Sequence, residues 1–317
     1  MSVICSIFTH FANRDNTLTC LRRLAAQTRR LEHIVIINNS SPDDPAMSEA
    51  RALANASGLP EGCLHILQMP GNLGNAGGCA HGLNYAFRDL GADAVWVLDD
   101  DSWPRPGALE ALLREPVDDG TVRMSLVIDP KANDELSWPL TIPAEPGRDR
   151  KWVNAVRRSE LPEGHAIVSR GGWLGALYPR AVWQKAGTPT PELFIRGEDE
   201  EYPWKVRHAG FRFITVRDSE LEHPGSKYEL LHVDIAGRSF FYEPGLSDSR
   251  LYYKIRNWSW LQRLKRPKAH LQRLAACAFY ALLTLNAMLR CDEVSVRRIY
   301  TLFRALHNGF YGKLRPW

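Results

Sequence analysis

Asp99, Asp100 and Asp101 are three consecutive carboxylates set directly behind the apolar run Ala94-Val95-Trp96-Val97-Leu98. That run reads as a buried strand, so the acids emerge where it ends. Three like charges this close repel unless a cation joins them, and a divalent ion bound to a diphosphate is the usual resolution. A solvated acidic turn is the other reading of the same segment. A second acidic cluster, Glu198-Asp199-Glu200-Glu201, falls at a predicted helix start. Crowded carboxylates raise one another's pKa, which suits a group that must accept a proton; complementing the helix dipole is the simpler alternative.

The elements that must position these acids alternate. Val3 to Phe8 is a short β-rich run, and Leu18, Leu21, Leu24 and Ala25 then recur at helical spacing. His33 to Ile37 is a second apolar run, closed by the turn signal Asn38-Asn39-Ser40-Ser41-Pro42-Asp43. Leu64 to Gln68 is a third, followed by Gly71-Asn72-Leu73-Gly74-Asn75-Ala76-Gly77-Gly78 and a helix marked by Ala80, Leu83, Phe87 and Leu90. Repeats of this length predict a parallel, doubly wound α/β sheet, whose ligands bind at the carboxyl ends of the strands. The polar turn, the glycine-rich segment and the three aspartates all belong at that edge.

From Glu115 to about Val153 the pattern weakens, with Pro130, Pro139, Pro143 and Pro146 among short apolar pieces, and reads as irregular β structure or a loop over the site. Gly171 to Leu177 is glycine-dense and apolar, Arg180 to Ala186 resembles a short helix, and Trp204, Val206 and Ala209 fit one face of another. Phe211 to Val216 predicts a further strand, leading to His223.

The chain has 317 residues and a net charge of +4, with ordinary apolar and charged fractions. Its six cysteines form no CxxC pair and no zinc spacing, which suggests reduced thiols in a cytosolic compartment. No secretory signal is legible in the opening residues. Residues 251–317 carry 13 Lys or Arg against Asp292 and Glu293, a net of +11, leaving about −7 for residues 1–250. An acidic body with a basic tail suits an anionic membrane surface. In that tail Leu271, Leu274, Ala275, Phe279, Leu282 and Leu285 share a helical stripe flanked by basic residues. Its apolar core, Leu274 to Leu289, is 16 residues, short of the ~20 that span a bilayer. Core packing, membrane-surface docking and packing between subunits are the readings of that stripe. The basic residues are not interleaved with base-stacking aromatics, which argues against nucleic-acid binding.

Taken in order, Thr9-His10-Phe11-Ala12-Asn13-Arg14, Asn38 to Asp43, Asn72 to Gly78, Asp99 to Asp101, Gly197-Glu198-Asp199-Glu200-Glu201-Tyr202 and His223 resemble a family 2 glycosyltransferase of the GT-A fold. Within that family the chain is similar to bacterial galactofuranosyl- and rhamnosyltransferases of cell-surface polysaccharide synthesis. The resemblance covers residues 1–230. It implies a Rossmann-like, mostly parallel sheet flanked by helices as a nucleotide-sugar-binding and catalytic domain, with residues 231–317 as a basic helical extension. Tyr252-Tyr253 with Arg256-Asn257 resembles the helical C-terminal segment of several such enzymes.

The resemblance also implies roles. Asp99, Asp101 and His223 would hold Mn²⁺ or Mg²⁺, Asp101 and His223 as the principal ligands and Asp99 contacting sugar or ribose hydroxyls as well, and the ion would offset charge on the departing diphosphate. Asp199 would be the base that takes the acceptor hydroxyl's proton, with Glu198 the next candidate and Glu201 orienting the acceptor. Thr9, Asn13, Arg14, Asn38, Asn72, Gly74, Gly77, Asp99 and Asp100 would bind the donor. Asn38 stands where the family usually has an aspartate, so it offers only an amide oxygen to a pyrimidine N3–H. Trp173 would stack on the acceptor sugar. The expected activity is single displacement with inversion, from UDP-galactofuranose or, as the alternative, dTDP-rhamnose, onto a glycan or polyprenyl-linked glycan at the inner face of the cytoplasmic membrane. A GT-A-like nucleotidyltransferase is disfavoured because Thr9 to Asn16 offers only Arg14 as a cation. A non-catalytic membrane-binding module is the remaining alternative.

Overall fold

β-Branched runs punctuated by helical repeats build the first half of the sheet. Ile4–His10 (β1), His33–Asn38 (β2), Leu64–Gln68 (β3) and Ala94–Val97 (β4) are joined by Arg14–Ala25 (α1), Pro45–Ala56 (α2) and Gly74–Arg88 (α3). They pair in parallel in the order β3-β2-β1-β4. β1 is buried on both faces, as a central parallel strand must be. Ile4 and Phe8 pack with Leu21, Ile36 and Trp96, while Cys5 and Ile7 pack with Val35, Ile37 and Val97. The computed structural model describes residues 2–114, 117–118, 120–132, 135–145, 151–224, 230–235 and 238–317. Glu115 and Pro146, cited above in the weakly patterned stretch, lie outside the described residues.

Beyond β4 come Trp103–Pro104 (β5), Ala108–Leu112 (α4), Thr121–Ile128 (β6), Glu135–Pro143 (β7), Trp152–Arg157 (β8), Ala166–Ser169 (β9), Ala176–Pro179 (β10), Arg180–Ala186 (α5), Glu198–His208 (α6) and Arg212–Glu222 (β11). The sheet continues β4-β10-β6-β11-β5. β10 is antiparallel to both neighbours, whereas β6 and β11 are parallel to one another. The parallel expectation therefore holds through β4, and the remainder is mixed. Gly175 makes the insertion of β10 feasible: its φ is +73°, and a Cβ there would lie 3.0 Å from Leu221 and 3.1 Å from Ser125. β10 reverses direction once and β6 reverses it back, so β4, β6 and β11 all end at the same edge. That edge carries Asp99 and His223.

The stretch expected to be irregular contains β6, a central strand. Arg123 disguises it: its side chain is buried, and Nη1 donates to the Leu112 carbonyl at 2.9 Å. Pro139 and Pro143 similarly sit within β7. β11 is one strand of 11 residues, irregular in its pairing with β6 between Val216 and Glu220.

The chain divides into two compact units, Met1–Pro191 with Asp199–Gly225, and Glu192–Glu198 with Ser226–Trp317. The second contains the antiparallel pair Leu231–Ile235 (β12) and Arg238–Tyr242 (β13), then the helices Asp248–Lys265 (α7), His270–Arg290 (α8) and Val296–Phe310 (α9). Ser247 and Ser295 cap α7 and α9 by accepting from the Arg250 and Arg298 N–H groups. Tyr252, Ile255, Leu283, Met288, Leu302 and Leu306 form the core. Gly309 lets α9 meet α7, since a Cβ there would stand 2.2 Å from the Arg256 carbonyl oxygen. Buried Arg256 and Asn257 donate to the carbonyls of Glu192, Leu193 and Ile195, fixing the short segment that belongs to this unit. Among the described helices α8 alone is long and apolar enough to cross a membrane by length and composition, with 21 residues and a mean hydropathy of 1.2.

Candidate active site

Where β4 ends, the aspartates enter a closed turn. The Asp99 N–H donates to Ser102 Oγ at 2.9 Å, and that hydroxyl donates to the Asp99 carbonyl at 2.7 Å. From α3, Asn75 Nδ2 reaches Asp99 Oδ1 at 3.4 Å, while its Oδ1 accepts from the Thr9 hydroxyl at 2.9 Å. Three strand and helix ends are thus tied through one carboxamide. Asn39 holds the glycine-rich loop on both sides, donating to the Gly74 carbonyl at 3.1 Å and accepting from the Leu73 N–H at 3.2 Å. Asn72 Oδ1 accepts from the Gly74 N–H at 2.8 Å, and Gly74 itself has a φ of +68°. Gly77, one turn further on, has the Leu73 Cβ 2.9 Å from where its own Cβ would be.

The other expected donor residues take different positions. Asn38 is fully buried; Nδ2 donates to the Ser41 carbonyl and Gln68, and Oδ1 accepts from the Ser40 N–H. Asn13 caps α1, and Arg14 is exposed and paired with Glu49 and Asp15. Beside Asn38, a cavity of about 630 Å³ opens among Phe11, Ser40, Pro42, Gln68 and Met69, with Phe11 exposed at its edge. His10 anchors this region from beneath, its Nδ1 meeting Thr17 at 2.6 Å and its Nε2 meeting Asp44, the α2 cap, at 3.1 Å.

The two acidic clusters meet in a second cavity of about 310 Å³, lined by Asp99, Asp199, His223, Trp138 and Trp173. His223 Nε2 lies 3.4 Å from Asp101 Oδ1. Burial, then Asp101, raise the Asp99 carboxyl to about 7; Asp199 adds to the effect and His223 opposes it. Burial, Asp101 and Asp99 raise Asp100 to about 8. Burial alone would lower His223, but Asp101 and Asp99 outweigh it and the imidazole is raised. Such displaced values in a cleft are a signature of functional sites.

Trp173 is buried edge-on against Tyr202, with centroids 5.6 Å apart, and its Nε1 has no hydrogen-bond partner among the described residues. Trp138, on β7, is 43 % exposed and its ring lies 5.9 Å from that of His223. Nothing in the sequence marks Trp138, because Pro139 and Pro143 break β7 into short apolar pieces. Glu201 is buried away from solvent, its carboxylate accepting from the Thr190 hydroxyl at 2.8 Å and pairing with Lys205 at 3.2 Å. Glu198 heads α6 and is also buried.

No group of three or more His, Cys, Asp or Glu side chains among the described residues forms a ready-made metal cage. Asp101 and His223 nevertheless present one carboxylate oxygen and one imidazole nitrogen to each other, a donor set compatible with Mn²⁺ or Mg²⁺. The crowding that lifts Asp99 and Asp100 is what a divalent charge relieves. The donor types of Asp101 and His223 therefore fit a divalent ion.

Residues 3–174 match the model of "Glycosyl transferase family 2", and the chain belongs to that family. Galactofuranosyltransferase GlfT1 of Mycolicibacterium smegmatis is 24 % identical over 262 residues, which is 82 % of either chain. Among solved structures, TarS of S. aureus aligns with a TM-score of 0.52 at 16 % identity, over 96 % of this chain and 48 % of that one. The chain therefore spans about half the length of TarS. The mannosyltransferase PcManGT from Pyrobaculum calidifontis, solved in complex with GDP-Man and Mn²⁺, aligns with a TM-score of 0.51 at 16 % identity, over 98 % and 88 % of the two chains. The mixed sheet is that of GT-A glycosyltransferases, and the protein is a glycosyltransferase.

Proposed function

We propose that this glycosyltransferase moves galactofuranose from UDP-galactofuranose onto a glycan borne by a lipid carrier, with inversion at the anomeric carbon. The observation that carries the reading is that Asp99, Asp199 and His223 line one cavity although they come from distant parts of the chain. Asp199 takes the proton of the acceptor hydroxyl as its oxygen bonds to the anomeric carbon, and the bond from that carbon to the diphosphate breaks on the opposite face. Thr9, Asn72, Gly74 and Asp99 hold the diphosphate-sugar, and the nucleobase lies in the cavity edged by Phe11. Trp138 and Trp173 bound the acceptor. Asp101 and His223 would hold Mn²⁺ or Mg²⁺. When bound, the ion supplies Lewis acidity for the leaving diphosphate. Residues 1–230, apart from the Glu192–Glu198 segment that belongs to the helical unit, form the catalytic domain, and residues 231–317 a basic domain that meets an anionic membrane at its cytoplasmic face.

Galactofuranose is favoured by the likeness to GlfT1 over 82 % of both chains. A donor panel that includes dTDP-rhamnose tests the assignment: turnover with dTDP-rhamnose and none with UDP-galactofuranose would replace it. Asp199→Asn is expected to lower kcat by about 10²–10⁴-fold, the range for loss of a general base, with donor affinity by calorimetry nearly unchanged. Retained kcat would move the base elsewhere. EDTA is expected to abolish transfer and Mn²⁺ to restore it; turnover indifferent to EDTA would remove the ion from the reading.

A further inference from the structure

α8 presents two unlike faces. One packs into the helical core through Cys277, Tyr280, Leu283, Ala287 and Met288, and holds Arg273 buried against the Phe310 ring. The other is apolar and bare: Leu271, Leu274, Leu282 and Leu289 are 82, 58, 65 and 68 % exposed, with Ala275 and Ala278 exposed between them. Positions 271, 275, 278, 282 and 289 lie on one side of a helix with 3.6 residues per turn, so the exposure is a continuous stripe. Arg266 and Lys268 stand exposed just before the helix and Arg290 at its end. A contiguous apolar strip bracketed by cations is unusual for a surface facing only water.

We infer that α8 docks lengthwise on an anionic lipid bilayer, its leucine stripe entering the headgroup–acyl boundary while Arg266, Lys268 and Arg290 meet lipid phosphates. The inference rests on the membrane reading proposed above and names the surface and the occupant. Charge selects the bilayer over a second copy of the chain. Face-to-face pairing would bring two regions of net +11 together, whereas an anionic leaflet complements that charge. Packing selects lengthwise docking over spanning, because a spanning α8 would strip Tyr280, Met288 and buried Arg273 from their core. α9 exposes Tyr300 and Phe303, a residue type enriched at headgroup level and one common on the apolar face of interfacial helices.

The test is flotation of the full chain with phosphatidylcholine vesicles, with and without phosphatidylglycerol. The parent is expected to float only with phosphatidylglycerol, and less at high salt. Leu274→Glu with Leu282→Glu should lower the bound fraction by roughly ten-fold or more. Arg266→Glu with Lys268→Glu should remove the preference for the anionic lipid. Circular dichroism and sedimentation velocity accompany each variant. Flotation of the leucine variant equal to the parent overturns the inference, as does a parent dimer that this variant converts to monomer without vesicle binding. Transfer to a soluble oligosaccharide acceptor should be the same in parent and leucine variant. That activity is lost if the catalytic reading fails, whatever the vesicles report.

Discussion

Trp138 stands beside His223 in the lining of the cavity that holds Asp99 and Asp199, and the residue is exposed. An exposed indole there is a platform for the apolar face of a sugar ring. Trp138→Ala is expected to raise the acceptor KM by about ten-fold, near 1.4 kcal/mol, while hydrolysis of the donor in water stays unchanged. A matched fall in both would give the side chain a structural role instead. Asp99 and Asp199 are legible because carboxylate runs stand out in any reading, whereas a lone histidine is more often structural and His223 is marked only by the family resemblance. Trp138 is not, since the proline-punctuated stretch around it reads only as irregular β structure or a loop. Glu201 shows a subtler limit. Its type and spacing suit acceptor binding, yet Thr190, eleven residues earlier, takes up the carboxylate, and no pattern encodes that pairing.

At the level of elements, the first four strands were readable because each is an unbroken apolar run before a turn. β6 and β10 were not. Arg123 interrupts one, and glycine opens the other, so the central strands of the second half look like loops until their neighbours are known. Glycine placement in α3 is where element packing becomes testable. A Cβ on Gly78 would lie 2.8 Å from Thr9 Cγ2 and 3.1 Å from Asn39 Nδ2. Gly78→Ala should therefore push α3 away from β1 and β2, costing about 1–3 kcal/mol, typical of overpacking, as a lower urea midpoint. Because Thr9 and Asn39 are the residues displaced, donor affinity should weaken too. Unchanged stability with unchanged affinity would mean that the helix end yields freely.

For the molecule as a whole, charge is segregated along the chain, and in the helical unit Glu293 is one acid that several donors hold in place. Burial alone would raise the Glu293 carboxyl, but the Tyr242 hydroxyl, the Gly245 N–H and Arg298 outweigh it and hold it below its ordinary range. A lowered folded-state value contributes stability at neutral pH that is lost as pH falls through that value. Glu293→Gln should cost about 1–3 kcal/mol at pH 7, as for hydrogen bonds to a charged group, a difference that shrinks as pH falls through the ordinary carboxylate range and closes once it is below the lowered folded-state value. A difference that persists in acid would point to shape and not charge. The thiols add a practical consequence. Cys5, Cys20, Cys63, Cys79 and Cys277 are buried, whereas Cys291, which closes α8, is partly open. A maleimide dye should therefore attach at one native position, most readily in mildly alkaline buffer, because burial and Glu293 push that thiol up. Its emission would serve as a built-in gauge of polarity at the end of the leucine-faced helix, without a single engineered mutation.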